Sequence, residues 1–396
     1  MNLKEDPQII EFLLNRNLKP HSEYQYLKRI KQYCQYTQLT PTELIEEAIN
    51  EEEQGIRKPN RKIKKYMIGY INKLKNENKS PNYITTGITI IKTFYNEFEI
   101  ELPRVRCNIK EQKELVTTTD IPTKEDIKKI VKYANIKYHA IILLMMSSGM
   151  GSSEIRHITL KDYIASLNIT DLDDFSIDSL MEILHKKEKE VPTWSIRRYK
   201  TKMPYITFSS PESVKHINEY IEDRYSQNYP FTSIDDYLFE TKGKHMQRKT
   251  ISTYFRRLND TAGMGYYKRQ RFLRAHALRN FFASTLKNNG FDSLDSEWLI
   301  GHNIKSITDA YIKPNIHYLK MRYMDILPYL SIEEVKTRTV ESDEYRELKE
   351  QYKKDSQKKS AEIENLTEKL EKLERRQELT EKLVNDQEFN NDRIKE

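Results

Sequence analysis

The chain has 396 residues, 37% hydrophobic and 32% charged, with 26 Tyr and 13 Phe but only 10 Gly and 13 Pro. That aromatic content argues against wholesale disorder, two cysteines offer neither a disulfide framework nor zinc spacing, and no apolar run reaches the roughly 18–20 residues of a bilayer span. The net charge of +7 is uneven: 52 Lys/Arg face 41 Asp/Glu through residue 332, and 15 face 19 beyond it. A basic body with an acidic-leaning tail is the footprint of a nucleic-acid binder. Met1–Asp6 lacks the charged-then-apolar order of a signal peptide, so the expected location is cytoplasmic. Cys34 and Cys107 read as reduced structural residues.

Residues 7–100 read as helices. Leu27, Ile30 and Cys34 lie at helical spacing, as do Ile63, Met67, Tyr70, Ile71 and Leu74. Ser80-Pro81 starts another helix, which buries Ile84, Ile88, Ile91, Phe94 and Phe98 along one stripe. The opposite faces are basic, with Lys28, Arg29 and Lys31 on one helix and Arg61, Lys62, Lys64, Lys65 and Lys73 on another. Residues 99–121, with Pro103 and a Thr117-Thr118-Thr119 run, read as a linker.

Thr123 with Asp126 resembles a helix-starting cap. An apolar helix over Tyr138–Met146 follows, ending near Ser148-Gly149-Met150-Gly151. Residues 165–190 are acidic and read as an insertion. Trp194–Arg198 and Tyr205–Phe208 flank Lys200-Thr201-Lys202-Met203-Pro204, the pattern of a β-hairpin. Helices are then expected at about 249–262, 274–289, 293–300 and 305–312. Past residue 333 the chain reads as a charged helix. There Ile363, Leu366, Leu370 and Leu373 fit coiled-coil a and d positions for only two heptads, so a docking helix and a solvated single helix both stay open.

The residues that carry chemistry lie between Arg271 and Pro314. His276 and Arg279, three apart on a helix, share a face. That face pairs a proton-shuttling imidazole with a planar guanidinium fork suited to phosphate oxygens. Gly301 breaks a helix and frees His302 at a turn. Tyr311 follows nine residues later. A phenol is a poor nucleophile at its free pKa of about 10 and needs cationic neighbours; His276, Arg279, His302 and Lys200 are the candidates.

This order of motifs resembles the tyrosine recombinase (phage integrase) family. The likeness lies in His276-Ala277-Leu278-Arg279 and in Gly301-His302 followed by Tyr311, and it spans about residues 10–330. Several segments are also similar to integrases of archaeal mobile elements. The resemblance implies a mainly α fold with a small β-sheet. Its parts would be a helical core-binding domain (1–102), a linker (103–121), a mixed α/β catalytic domain (122–332) and a helical tail (333–396). It implies Tyr311 as nucleophile, cleavage through a 3′-phosphotyrosine, and Lys200, with Lys202 as runner-up, protonating the leaving 5′-oxygen. It implies double-stranded DNA as partner, a homo-tetramer on DNA, and neither metal nor nucleotide cofactor. Lys28, Arg29, Lys31, Lys62, Lys64 and Lys65 become candidate DNA contacts. One departure stands out: the first catalytic arginine of the family falls on Gly151. Arg156, five residues on and about 7.5 Å along an ideal helix, is the first candidate to replace it, and Arg197 or Arg198 are the others. Without a replacement the chain reads as a degenerate recombinase acting as a DNA-binding regulator.

Overall fold

A computed structural model of the chain describes residues 3–105, 120–169, 177–199, 201–241, 243–267, 270–302 and 315–333, with residues 350, 354, 357, 358 and 369 beyond them. Tyr311, Lys200, Cys107 and the tail's heptads lie outside the described residues. The chain divides into two compact units, Met1–Leu115 and Val116–Glu396.

The first unit is built from α1 (Pro7–Arg16), α2 (Pro20–Thr37), α3 (Pro41–Glu53), α4 (Lys62–Asn76) and α5 (Pro81–Glu97). Four of the five begin with proline, whose fixed φ suits the first turn and whose missing N–H would find no partner there. Side-chain caps complete three of the starts: Asp6 on α1, a Thr40/Glu43 capping box on α3, and Ser80 on α5. The predicted stripes are the core. Ile30, Tyr33 and Cys34 meet Met67, Tyr70, Ile88 and Phe94 there, and all are buried. Burial, with Asp6 adding to it, pushes the Cys34 thiol up to about 12, which fits an unreactive structural residue. The stretch read as a linker from residue 99 begins as part of this core, since Ile100 and Val105 pack into it.

In the second unit, a Thr123/Asp126 capping box starts α6 (Lys124–Val131). Helix α7 (Ile136–Ser148) has no polar stripe: Ala140 through Met146 are fully buried, as expected of a helix wrapped on all sides. Short helices α8 (Ser152–Ile155) and α9 (Leu160–Ser166) follow. Part of the acidic segment is a packed helix. This helix, α10 (Ile177–Lys186), drives Leu180 and Leu184, four apart, into the core. Strands β1 (Thr193–Arg197) and β2 (Pro204–Phe208) form the expected antiparallel hairpin, with Trp194 opposite Thr207. Ser210 caps α11 (Pro211–Ser226). Two-residue ladders, β3 (Glu240–Thr241) with β4 (Lys244–His245) and β5 (Tyr266–Tyr267) with β6 (Gln270–Arg271), flank α12 (Arg248–Thr261). Helices α13 (Ala275–Asn288), α14 (Ser293–Leu299) and α15 (Ile316–Leu330) finish the described fold. It is mainly α with small antiparallel sheets, as the sequence implied. Among the described residues no helix is long and apolar enough to cross a membrane.

Helix α7 docks on α11 through a stacked imidazole pair, His139 and His216, with centroids 4.0 Å apart. Loss of water, then the charges of His216 and Lys215, press His139 down to about 4. A free imidazole titrates near 6.5, so the neutral ring contributes its stability above that value. The contribution drains away as pH falls toward about 4. His139→Phe should therefore lose less melting temperature than wild type between about pH 7 and pH 4.5; parallel melting curves for the two proteins would refute the assignment.

Candidate active site

The site begins at the C-terminal end of α7, where helix carbonyls lack helical partners. Gly149 leaves the helix with φ +66°, in the left-handed region. Three consecutive carbonyls there take side-chain donors from three other elements. The Tyr323 hydroxyl donates to Ser147 O at 2.8 Å, Thr207 Oγ1 to Ser148 O at 2.7 Å, and Arg279 Nη1 to Gly149 O at 2.7 Å.

Arg279 sits on the first turns of α13 and is 5% exposed. Its Nη2 donates to Ile300 O at the end of α14. That end is a Schellman closure: Gly301 N–H reaches Trp298 O at 2.9 Å and His302 N–H reaches Glu297 O at 3.0 Å, with Gly301 at φ +62°. Glycine is required twice over, because a Cβ at 301 would lie 2.6–2.8 Å from ring carbons of buried Tyr205. The turn delivers His302 beside Glu297, whose carboxylate accepts from the imidazole Nδ1.

A second guanidinium reaches the same turn. Arg198 Nη1 donates to Ile300 O and to Gly301 O, both at 3.1 Å. Ile300 O thus receives both Arg198 and Arg279. Both arginines lie at the negative end of a helix, where cations are favoured. The buried Glu154 carboxylate stands 3.7 Å from Arg198 Nε. Burial, and then the neighbouring Arg198 charge, pull Arg279 below the usual arginine range, while Tyr205 and Glu154 act in the opposite sense. His276 keeps one side open to solvent. Water lost from the rest of its ring, then Arg274, Arg279, His302 and Arg198, lower its pKa and favour the neutral imidazole.

Of the residues singled out in the sequence, His276, Arg279 and His302 are brought together, with Arg198 among them. Arg156 is not. Its Nε donates to Ser152 O at 3.2 Å and its Nη1 to Met246 O at 3.1 Å, which anchors it to its own turn and to the segment before α12 rather than to the turn at Ile300–His302. Arg197, next to Arg198, points the other way. Strand alternation separates them: Trp194 and Ile196 face the core, Ser195 and Arg197 face solvent, and parity returns Arg198 to the inner side. That parity was a signal available in the sequence. Lys202 takes φ +61° in the hairpin turn and holds its ammonium 4.6 Å from the Tyr199 ring centroid. Glu154 and Tyr205, which brace the two arginines, were not singled out beforehand.

In the first unit the six basic candidates differ. Lys28, Lys31 and Lys65 are exposed and Lys64 is partly so. Lys62 is exposed but pairs with Glu47 at 2.6 Å. Arg29 is a correction: it is 8% exposed and its guanidinium lies 3.5 Å over the Tyr83 ring centroid, a packing contact between α2 and α5. Arg61 is likewise buried, donating to Ile56 O at 3.1 Å and Glu101 O at 3.0 Å.

Residues 121–317 match the phage integrase family. The chain is similar to tyrosine recombinase XerC of Rickettsia bellii (strain RML369-C), with 27% identity over 278 residues that cover 66% of this chain and 79% of that protein. It is also similar to XerC of Rickettsia africae (strain ESF-5), with 23% identity across 80% of this chain and 93% of that one. Among solved structures, a lambda integrase dimer bound to a COC′ core site aligns with 14% identity and a TM-score of 0.47, over 78% of this chain and 96% of that one. The Tn1549 transposon integrase in complex with circular intermediate DNA aligns with 17% identity and a TM-score of 0.45, over 78% and 95%. The matched segment takes in the cluster of His276, Arg279 and His302, and the chain belongs to the phage integrase family of tyrosine recombinases, the enzymes of site-specific DNA recombination.

Proposed function

We propose that the chain cleaves and rejoins double-stranded DNA through a 3′-phosphotyrosine at Tyr311. The observation that carries this is the convergence of two guanidiniums and two imidazoles on the turn at Ile300–His302, nine residues before that tyrosine. The Tyr311 hydroxyl gives up its proton, for which neutral His276 is the acceptor, and the phenolate oxygen attacks phosphorus. The bond from phosphorus to the 5′-oxygen breaks, and that oxygen takes a proton from Lys200. The guanidiniums hold the non-bridging oxygens, whose charge concentrates in the pentacoordinate transition state. Attack by the 5′-hydroxyl of another strand reverses the step, so no ATP is consumed.

Exposed Lys28, Lys31, Lys64 and Lys65, with Lys62, suit contacts to the DNA backbone, which set position and salt dependence rather than sequence choice. The active assembly is a homo-tetramer on two sites, working in the cytoplasm to integrate or excise a mobile element or viral genome.

The test uses duplexes nicked beside the expected cut and randomised around it, so that release of a short fragment traps the covalent complex. Wild type should yield adducts whose trapped DNA shares a sequence. Tyr311→Phe, which lacks only the attacking oxygen, should yield none. DNA binding by wild type with no adduct across the library would leave a DNA-binding regulator instead.

A further inference from the structure

We propose that Arg198, delivered by the β1–β2 hairpin, supplies the second phosphate-binding guanidinium that the family carries at the position of Gly151. The assignment rests on the recombinase reading above and adds a residue to it.

Four observations support it. The first is shared anchoring. Arg198 and Arg279 donate to the same atom, Ile300 O, so their forks are neighbours whatever else moves. The second concerns donors. Arg198 makes its hydrogen bonds to two carbonyls through Nη1 alone, with its buried Nε turned toward the Glu154 carboxylate. A guanidinium has five N–H donors, so a fork positioned through one nitrogen keeps others for a ligand.

The third is the space above Gly151. A Cβ there would fall 2.5 Å from Glu154 Oε2. The carboxylate end of Glu154 lies where a side chain at 151 would begin, and the same carboxylate faces Arg198 Nε at 3.7 Å. With glycine at 151 the helix start supplies no guanidinium, and Arg198 from the hairpin stands against the Glu154 carboxylate. The fourth is charge balance. Arg198, Arg279 and the Glu154 carboxylate beside them sum to +1, the complement of one phosphodiester. Packed cations in a partly buried site repel one another unless an anion arrives. Arg156 lacks the shared anchor: its Nε and Nη1 donate to Ser152 O and Met246 O, not to the turn at Ile300.

The experiment measures single-turnover cleavage of one trapped sequence as a nicked duplex, with either the natural phosphodiester or a neutral methylphosphonate at the cut. On the phosphodiester, Arg198→Ala should lose about 10²–10³-fold in rate, with DNA binding by mobility shift changed little. Arg156→Ala should cleave like wild type. On the methylphosphonate, which has lost one anionic oxygen, the deficit of Arg198→Ala against wild type should shrink to under about tenfold. Arg198→Lys, which keeps the charge without the fork, should fall between wild type and Arg198→Ala. An Arg198→Ala rate equal to wild type, with a Tyr311-dependent adduct present, would overturn this assignment and leave the recombinase reading intact. A deficit equally large on both substrates would make Arg198 a structural brace and likewise overturn it. No Tyr311-dependent adduct from wild type would sink the recombinase reading itself.

Discussion

Arg279→Lys is expected to lower single-turnover strand cleavage by about 10²–10³-fold and to lower the melting temperature as well. The chemical loss follows from geometry. Arg279 holds Gly149 O with Nη1 and Ile300 O with Nη2, joining the ends of α7 and α14. The planar fork meets both carbonyls and still presents donors toward a phosphate. A lysine is a single point of charge on a flexible stem. It can satisfy one carbonyl or neither, and it cannot grip two oxygens in a fixed plane. The stability loss has a separate cause, because a buried carbonyl left without a donor costs about 1–3 kcal/mol. In a unit of this size each kcal/mol moves the midpoint by roughly 2–4 °C. Cleavage and melting should therefore fall together, with cleavage falling far more than a few degrees of destabilisation explains at assay temperature. A lysine variant that melts low yet cleaves within about threefold of wild type would show that the site needs only a charge there.

Much of this site was legible before any coordinates, and the reason is locality. His276 and Arg279 are one helical turn apart, so a spacing of three puts them on one face whatever surrounds the helix. Gly301 followed by His302 announces a helix end, and the Schellman hydrogen bonds are its physical content. The stripes of α4 and α5 were equally plain, because Met67, Tyr70, Ile88 and Phe94 repeat at the helical period. What failed involved partners distant in the chain. Arg29 lies on a basic stretch and read as a surface charge. Its guanidinium is instead buried over Tyr83, a ring more than fifty residues away, which no periodicity can reveal. Helix α10 was hidden by its acid flanks, which outweighed the pair Leu180 and Leu184 that ties it down. Arg156 drew attention because it is closest in sequence to the missing arginine at Gly151. Closeness along the chain is a poor guide where a hairpin folds back: Arg198, 47 residues beyond Gly151, shares Ile300 O with Arg279, while Arg156 turns to Met246 O.

The second large effect concerns a residue with no side chain. Gly301→Ala is expected to destabilise the Val116–Glu396 unit by about 2–5 kcal/mol, and three internal comparisons separate the causes. Alanine at φ +62° carries a backbone penalty of roughly 1–2 kcal/mol. Gly263 isolates that part, since it has φ +65° and nothing within 4 Å of the added methyl; Gly263→Ala should cost about 1–2 kcal/mol and no more. The excess at 301 is steric, because the methyl would enter the face of Tyr205, a ring 8% exposed and hemmed in by the core. Tyr205→Leu should relieve it, so the double variant Gly301→Ala with Tyr205→Leu should lose less than the two single losses added. Gly149→Ala should behave like Gly301→Ala, with the Phe282 ring in the role of Tyr205. Activity discriminates further. A displaced turn at 301 moves Ile300 O, the atom that aligns Arg198 and Arg279, so cleavage should collapse in Gly301→Ala even well below its melting point, while Gly263→Ala cleaves normally. Equal costs at 263 and 301, or strict additivity with Tyr205→Leu, would mean the close approach of turn and ring has no energetic consequence. The two glycines would then be only helix terminators, rather than the spacers that let α7, β2 and α14 come near enough to share one arginine.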